Sequence, residues 1–251
     1  MVEFVPQLYR ILAVDDSIVI LDMVKMMLRE ADFQVSTATS GEEALDLMKK
    51  EGLPHLAIVD INMPLGMDGF EFCEALHDFS DVPVIMLTAV DQSETIIQAI
   101  EEHAEDYMTK PVSAGELVAR VRRVLRSIGG FALKLERLTR ADERLAVNFV
   151  ECEVLINGRP ISLTPTETKL LYILMRDAGK LVTTDFLLRR LWPHELAYQD
   201  RLRVYVHRLR SKIEERPEEP RYVVSRRNKG YSFLPGLEEQ KIASAAGGPG
   251  T

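Results

Sequence analysis

Cysteine is nearly missing from this sequence: 251 residues contain two, Cys73 and Cys152. Two thiols far apart, without histidines at ligand spacing, exclude a disulfide framework and a cysteine-based metal site. Both are expected to pack as small apolar residues. Long apolar runs are missing too. No stretch approaches the ~18 residues that span a bilayer, and Met1 to Arg10 lacks a basic region followed by an apolar one, so no secretory signal is expected. The chain is expected to act in the cytoplasm, away from membranes. Positive charge is scarce in one half only. Residues 1–125 carry 9 Lys+Arg against 23 Asp+Glu, a net of −14, whereas residues 126–251 carry 22 against 16, a net of +6. An acidic half joined to a basic half suggests two tasks. The acidic half can bind a divalent cation, and the basic half a polyanion.

What is present in the first half is an alternation. Short apolar runs at Arg10–Val14, Gln34–Thr37, Leu56–Val59, Val82–Leu87 and Asp106–Met108 read as strands. Between and after them, Ile18–Glu30, Gly41–Lys50, Phe70–Leu76, Ser93–His103 and Gly115–Arg126 have helical spacing. Five strands alternating with five helices predict a parallel sheet covered on both faces, with ligands at the carboxyl ends of its strands. Those ends carry Asp15 and Asp16, Asp60 and Thr88, and Lys110 follows the fifth strand. Three gathered carboxylates need neutralising, and a hard divalent cation such as Mg²⁺ suits an all-oxygen site. Lys110 adds one more positive charge.

Asp15-Asp16, Asp60-Ile61-Asn62-Met63-Pro64, Thr88-Ala89, Tyr107 and Lys110-Pro111 together resemble the receiver domains of response regulators over about 125 residues. The resemblance implies that Asp60 takes a phosphoryl group from a histidine kinase. It implies that Asp15, Asp60 and the Asn62 carbonyl hold Mg²⁺, with Asp16 acting through water. Thr88 and Lys110 would meet phosphoryl oxygens, Tyr107 would be the aromatic that moves with Thr88, and the Lys110-Pro111 bond would be cis. Two departures stand out. Leu65 and Gly66 occupy a place where the family usually has one residue, beside Asp60. His103-Ala104-Glu105-Asp106-Tyr107 keeps the acids of the usual motif but not its glycine.

The second half has a different grammar. Leu145–Leu163 contains short alternating strands with an Asn157-Gly158 turn signal. Thr164-Pro165-Thr166-Glu167 is a helix start with a capping box. Helices are expected over Pro165–Arg176, Thr184–Leu191 and Asp200–Glu214, followed by a hairpin over Tyr222–Phe233. On a helical wheel, Leu202, Val206, Leu209 and Ile213 of the third helix form one core stripe. Val204, His207, Arg208 and Ser211 face the other way, with Arg201 on one flank and Arg203 and Arg210 on the other. Such a helix suits the major groove, where arginine bonds guanine and the flanks meet phosphates.

Leu163-Thr164-Pro165-Thr166-Glu167, Gly179-Lys180-Leu181-Val182-Thr183, Arg208-Leu209-Arg210 and Gly230-Tyr231-Ser232-Phe233 resemble the DNA-binding domain of OmpR/PhoB-type regulators. Leu202-Arg203-Val204-Tyr205-Val206 is similar to its KdpE-like branch. By that resemblance Asp200–Glu214 is the recognition helix. Arg226, Arg227 and Lys229 lie on a wing that reaches DNA, with Asn228 where the family usually has glycine. Receivers of this type pair through their fourth helix, fifth strand and fifth helix. Glu105, Asp106, Glu116 and Arg120 match the family's partners there, whereas Gln92 and Ile96 replace a lysine and an arginine, which makes Ile96 a candidate for an apolar dimer patch.

The expected architecture is therefore a CheY-like doubly wound (βα)5 receiver (1–126), a linker (127–144), an α+β winged-helix domain (145–235) and a disordered tail (236–251). The expected function is a phosphorylation-switched transcription regulator that dimerises on activation, binds double-stranded DNA and can engage RNA polymerase. It is a phosphoacceptor rather than an enzyme. A phosphorylation-independent DNA-binding regulator that uses its receiver only for dimerisation is the alternative. A phosphotransfer enzyme of the haloacid dehalogenase type fits less well, because the acid it needs two residues after the nucleophile is Asn62 here.

Overall fold

The computed structural model describes residues 4–64, 66–88, 104–127, 135–193, 195, 197–227 and 229–236, arranged as two compact units. The first unit is built on a parallel sheet of β1 (Arg10–Val14), β2 (Gln34–Ala38), β3 (Leu56–Asp60), β4 (Val84–Thr88) and β5 (Asp106–Thr109), in the order β2-β1-β3-β4-β5. Every residue of β3 and β4 is buried, as expected of parallel strands covered on both sides. Alternate residues serve opposite faces. Ile11, Ala13, Ile58, Ile85 and Leu87 join one core cluster with Leu21, Val24 and Leu28 of α1 (Ile18–Glu30) and Leu117, Val121 and Val124 of the Ala114–Ser127 helix. On the other side, α2 (Gly41–Glu51) packs beside α3 (Gly69–Phe79).

Local chemistry sets these boundaries. Ser40 caps α2 by accepting the Glu43 N–H, and Asp68 and Glu71 form a capping box at α3. β4 begins two residues later than the sequence reading because Pro83 has no N–H to give, although its carbonyl still accepts Ala57 N–H at 3.0 Å. The helix expected over 93–103 lies outside the described residues, as do Gln92, Ile96, His194, Asn228 and the tail beyond Gly236.

The stretch read as a linker is partly structured. Leu135–Arg137 belongs to the first unit. Leu135 is buried, and its carbonyl accepts a bond from Arg10, whose guanidinium also holds the carbonyls of Glu51 and Leu53. Leu138 belongs to the second unit, where Thr139–Arg140 already forms a strand.

The second unit has an antiparallel sheet of β6 (Thr139–Arg140), β7 (Leu145–Asn148), β8 (Glu153–Ile156) and β9 (Arg159–Ser162). Asn157 and Gly158, at φ of 51° and 76°, make the tight turn between β8 and β9. Three helices follow: Pro165–Arg176, Thr184–Leu191 and Gln199–Ile213. The first is buried from Glu167 to Arg176 and packs against the other two. A small sheet of β10 (Val182–Thr183), β12 (Gly230–Phe233) and β11 (Val223–Arg226) completes the winged-helix arrangement.

Candidate acidic site and basic helix face

At the carboxyl end of the parallel sheet, the main chain delivers Asp15, Asp60, Thr88 and Lys110 to one place. Asp15 and Asp60 are buried, while Asp16 is exposed. One carboxylate oxygen from each of these three acids lies within 4.8 Å of the others. Lys110 Nζ bridges two of them, donating to Asp15 Oδ2 and lying 2.9 Å from Asp60 Oδ1. Its backbone N–H bonds the Thr88 carbonyl at 2.8 Å, which ties the β5 exit to the end of β4, and the Lys110–Pro111 peptide is cis. Thr88 is buried, Asn62 is exposed, and the Tyr107 ring is half exposed at 49%.

The electrostatics follow from this crowding. Burial pushes the Asp60 carboxyl above its usual range, against the pull of Lys110 and with the repulsion of Asp15 and Asp16 adding to it. Burial alone would lower Lys110, but its bonds to Asp15 and Asp60 win and raise it. One ammonium facing three acids leaves excess negative charge. The donors are all oxygens, two of them from buried carboxylates, and this set fits a hard divalent cation.

Asp60 is also fixed from behind. A Cβ on Gly69 would stand 2.2 Å from the Asp60 carbonyl oxygen, so only glycine lets the start of α3 sit against the end of β3. The Gly69 N–H bonds the Ile61 carbonyl at 3.2 Å.

In the second unit, the Gln199–Ile213 helix buries Leu202, Val206, Leu209 and Ile213, as its periodicity requires. Its outer face exposes Arg203, Val204, His207 and Arg208. Arg203, Arg226, Arg227 and Lys229 line an open cleft of about 580 Å³ between this helix and the hairpin. Glu167 anchors the helix from inside. It completes the Thr164 capping box and binds Lys212 Nζ at 2.7 Å. Burial would raise the Glu167 carboxyl, yet Lys212 and Thr164 hold it below its usual range.

Two flanking arginines differ from the sequence reading. Arg210 donates to the Val223 carbonyl at 2.8 and 2.6 Å and to Ser225 Oγ at 3.0 Å. It therefore ties the helix to β11 rather than pointing outward. Arg201 lies over the Trp192 ring, 4.4 Å from its centroid, and pairs with Glu195. Trp192, Glu195, Val223 and Ser225 lie outside the helix, so helical spacing alone could not reveal these contacts. The buried Ser232 accepts from Arg226 Nε at 3.4 Å. Trp192 is buried, and Phe186 is partly buried beneath Arg176.

Three of the residues matched to a dimer face pair with one another. Arg120 bonds Asp106 at 2.8 Å and Glu116 at 2.6 Å, Arg123 bonds Asp106 at 2.6 Å, and Glu105 is exposed.

Comparison with known proteins agrees with this division. Residues 11–122 match the response regulator receiver domain, and residues 158–233 match the C-terminal domain of transcriptional regulatory proteins. The chain is 37% identical over 227 residues to the DNA-binding response regulator MtrA of Mycobacterium tuberculosis, covering 90% of this chain and 97% of that protein. It is 33% identical over 236 residues to the transcriptional regulatory protein AfsQ1 of Streptomyces coelicolor, with coverage of 90% and 98%. The structure of DrrB, a Thermotoga maritima OmpR/PhoB homolog, aligns over 90% of this chain and 99% of its own at 29% identity, with a TM-score of 0.42.

Proposed function

The chain belongs to the OmpR/PhoB family of two-component response regulators, and from that premise we propose that Asp60 is its phosphoacceptor and that the charge on Asp60 governs DNA binding by the second unit. The observation that carries this reading is the convergence on Asp60. A buried carboxylate at a strand end is held 2.9 Å from Lys110 and beside two further acids. In the reaction, an Asp60 oxygen attacks phosphorus, the phosphorus–nitrogen bond of the kinase phosphohistidine breaks, and an acyl phosphate remains. A Mg²⁺ ion held by Asp15, Asp60 and the Asn62 carbonyl, with Asp16 through water, would supply charge neutralisation to the incoming phosphoryl group. Lys110, which bridges Asp15 and Asp60, is placed to take a phosphoryl oxygen, and Thr88 to bond another. Tyr107, exposed on β5, is the aromatic that reports the change. Such switches are local charge events that bias a two-state surface.

The output is double-stranded DNA. Arg203, Val204, His207 and Arg208 form the front offered to base edges, and Arg226, Arg227 and Lys229 meet phosphates or the adjacent minor groove. Arg201 and Arg210 serve the domain's own framework. Activation pairs two copies through the Glu105, Asp106, Glu116 and Arg120 surface, with Ile96 as its apolar element. A histidine kinase is the donor, RNA polymerase a partner on DNA, and the cytoplasm the setting.

The test is sedimentation of the full chain with and without beryllofluoride and Mg²⁺, for the native protein and Asp60→Asn. The native chain should shift from monomer to dimer and gain DNA affinity, and the variant should do neither. A native chain that binds DNA equally well in both conditions would favour a receiver that does not switch.

A further inference from the structure

The loop from Asp60 to α3 carries an additional residue at 65–66, and at Gly66 and Met67 the structure shows how the loop is held to α2. Met63 is buried, whereas Pro64 and Gly66 are exposed. At Met67 the chain is taken up again by the start of α2. The Met67 N–H donates to Glu42 Oε1 at 2.9 Å. Its side chain occupies a notch at Gly41, where a Cβ would lie 2.8 Å from the Met67 sulfur. Gly66 stands at φ +94°, and a Cβ there would lie 2.8 Å from Glu42 Oε1. Two glycines thus make room on either side of one contact: Gly41 for the Met67 side chain and Gly66 for the Glu42 carboxylate. The next residues are Asp68, which caps α3, and Gly69, which rests on the Asp60 carbonyl.

The geometry points to Glu42 as a positioning residue for the phosphoacceptor loop: its bond to Met67 N–H fixes the enlarged loop beside Asp60 and so governs how water reaches the acyl phosphate. The inference rests on the phosphoacceptor reading of Asp60. In the step concerned, a water oxygen bonds to phosphorus and the phosphorus–oxygen bond to Asp60 breaks. Inorganic phosphate leaves carrying the two water protons, one of which it can pass on to solvent, and the Asp60 carboxylate is restored. Glu42 touches none of these atoms. It acts through the loop, holding Gly66 and Met67 against the start of α2. A carboxylate accepting a backbone N–H makes one of the stronger hydrogen bonds available to a surface group. Glutamine keeps an acceptor oxygen at the same reach, whereas alanine does not.

The experiment loads the full chain with acetyl phosphate and follows phosphoaspartate decay on phosphate-affinity gels. It uses the native chain, Glu42→Ala, Glu42→Gln and each of these with Gly66 deleted. Glu42 is exposed, so the fold should tolerate both substitutions, and thermal melting checks this. Expected is a phosphoaspartate lifetime at least threefold shorter in Glu42→Ala, a near-native lifetime in Glu42→Gln, and faster amide exchange at Met67 in the alanine variant. With Gly66 deleted there is no enlarged loop to hold, and Glu42→Ala should make no further difference. An unchanged lifetime in Glu42→Ala overturns the inference. So does a glutamine variant as fast as the alanine one, or an alanine effect of equal size in the shortened loop. If the native chain takes up no phosphoryl group, the reading of Asp60 fails and the inference with it, an outcome distinct from a labelled chain indifferent to Glu42.

Discussion

The acidic site and the basic helix face handle charge in opposite ways. In the receiver, Asp15 and Asp60 are buried, converge, and share a single lysine. In the DNA-binding unit, Arg203, His207 and Arg208 stand side by side in solvent, while Arg201 and Arg210 are turned onto protein partners. A small, doubly charged ion is best held by a few ligands that cannot escape one another. A long polyanion is best met by separate charges along a surface, which release counterions as they bind. The difference also bears on what a sequence can reveal. Convergence on a parallel sheet follows from topology, so the residues of the acidic site can be picked out before any coordinates exist. A displayed face can be recognised as a face, yet which of its arginines are displayed depends on neighbours elsewhere in the chain.

This contrast can be broken most forcefully at Lys110. Lys110→Ala leaves Asp15 and Asp60 facing each other with no internal cation, and removing one partner of a buried pair costs about 3 kcal/mol. Urea unfolding followed by circular dichroism should show the receiver weakened by that order, with Mg²⁺ recovering much of the loss. An unweakened receiver would mean that the acids are less confined than their burial implies. Next comes Arg210→Ala. It removes charged hydrogen bonds to Val223 and Ser225 and should cost the DNA-binding unit about 2 kcal/mol. Arg208→Ala should leave that unit's stability intact, lower DNA affinity roughly tenfold and relax sequence discrimination. If the two arginines exchanged phenotypes, the division between framework and face would be reversed.

A further effect is one of slope, confined to acid pH. His55 is buried at the base of the receiver and accepts the Arg10 N–H at 2.9 Å. Burial, with the Arg10 charge adding to it, lowers its pKa to about 4. Unfolded, it titrates near 6.5, so between these values the unfolded chain binds more protons. The stability His55 supports is complete above pH 6.5 and is lost as pH falls toward 4, by up to about 1.4 kcal/mol per pH unit. His55→Gln should flatten receiver stability across that window. An unchanged slope would place the acid sensitivity elsewhere.

The strands of the receiver and the core stripe of the Gln199–Ile213 helix were legible because period and burial coincide. Leu202, Val206, Leu209 and Ile213 are buried where their spacing puts them. Thr164 and Glu167 were legible as a capping box because its members lie three residues apart. The start of β4 was misplaced, since apolar character alone does not register the missing N–H of Pro83. Glu42 and Met67, 25 residues apart, gave no local signal, although the added loop residue marked where to look. Leu135 looked like linker because its partner, Arg10, lies at the other end of the domain sequence.

The stack of Arg201 on Trp192 has an optical consequence. Trp192 is the only tryptophan in the chain, so tryptophan emission comes from one buried indole beneath a guanidinium at the start of the Gln199–Ile213 helix. Emission that stays constant as DNA binds would mark Arg201 as fixed framework. Emission that changes would show the guanidinium leaving its ring for the nucleic acid. The protein thus carries its own fluorescent reporter beside the helix face proposed to meet DNA.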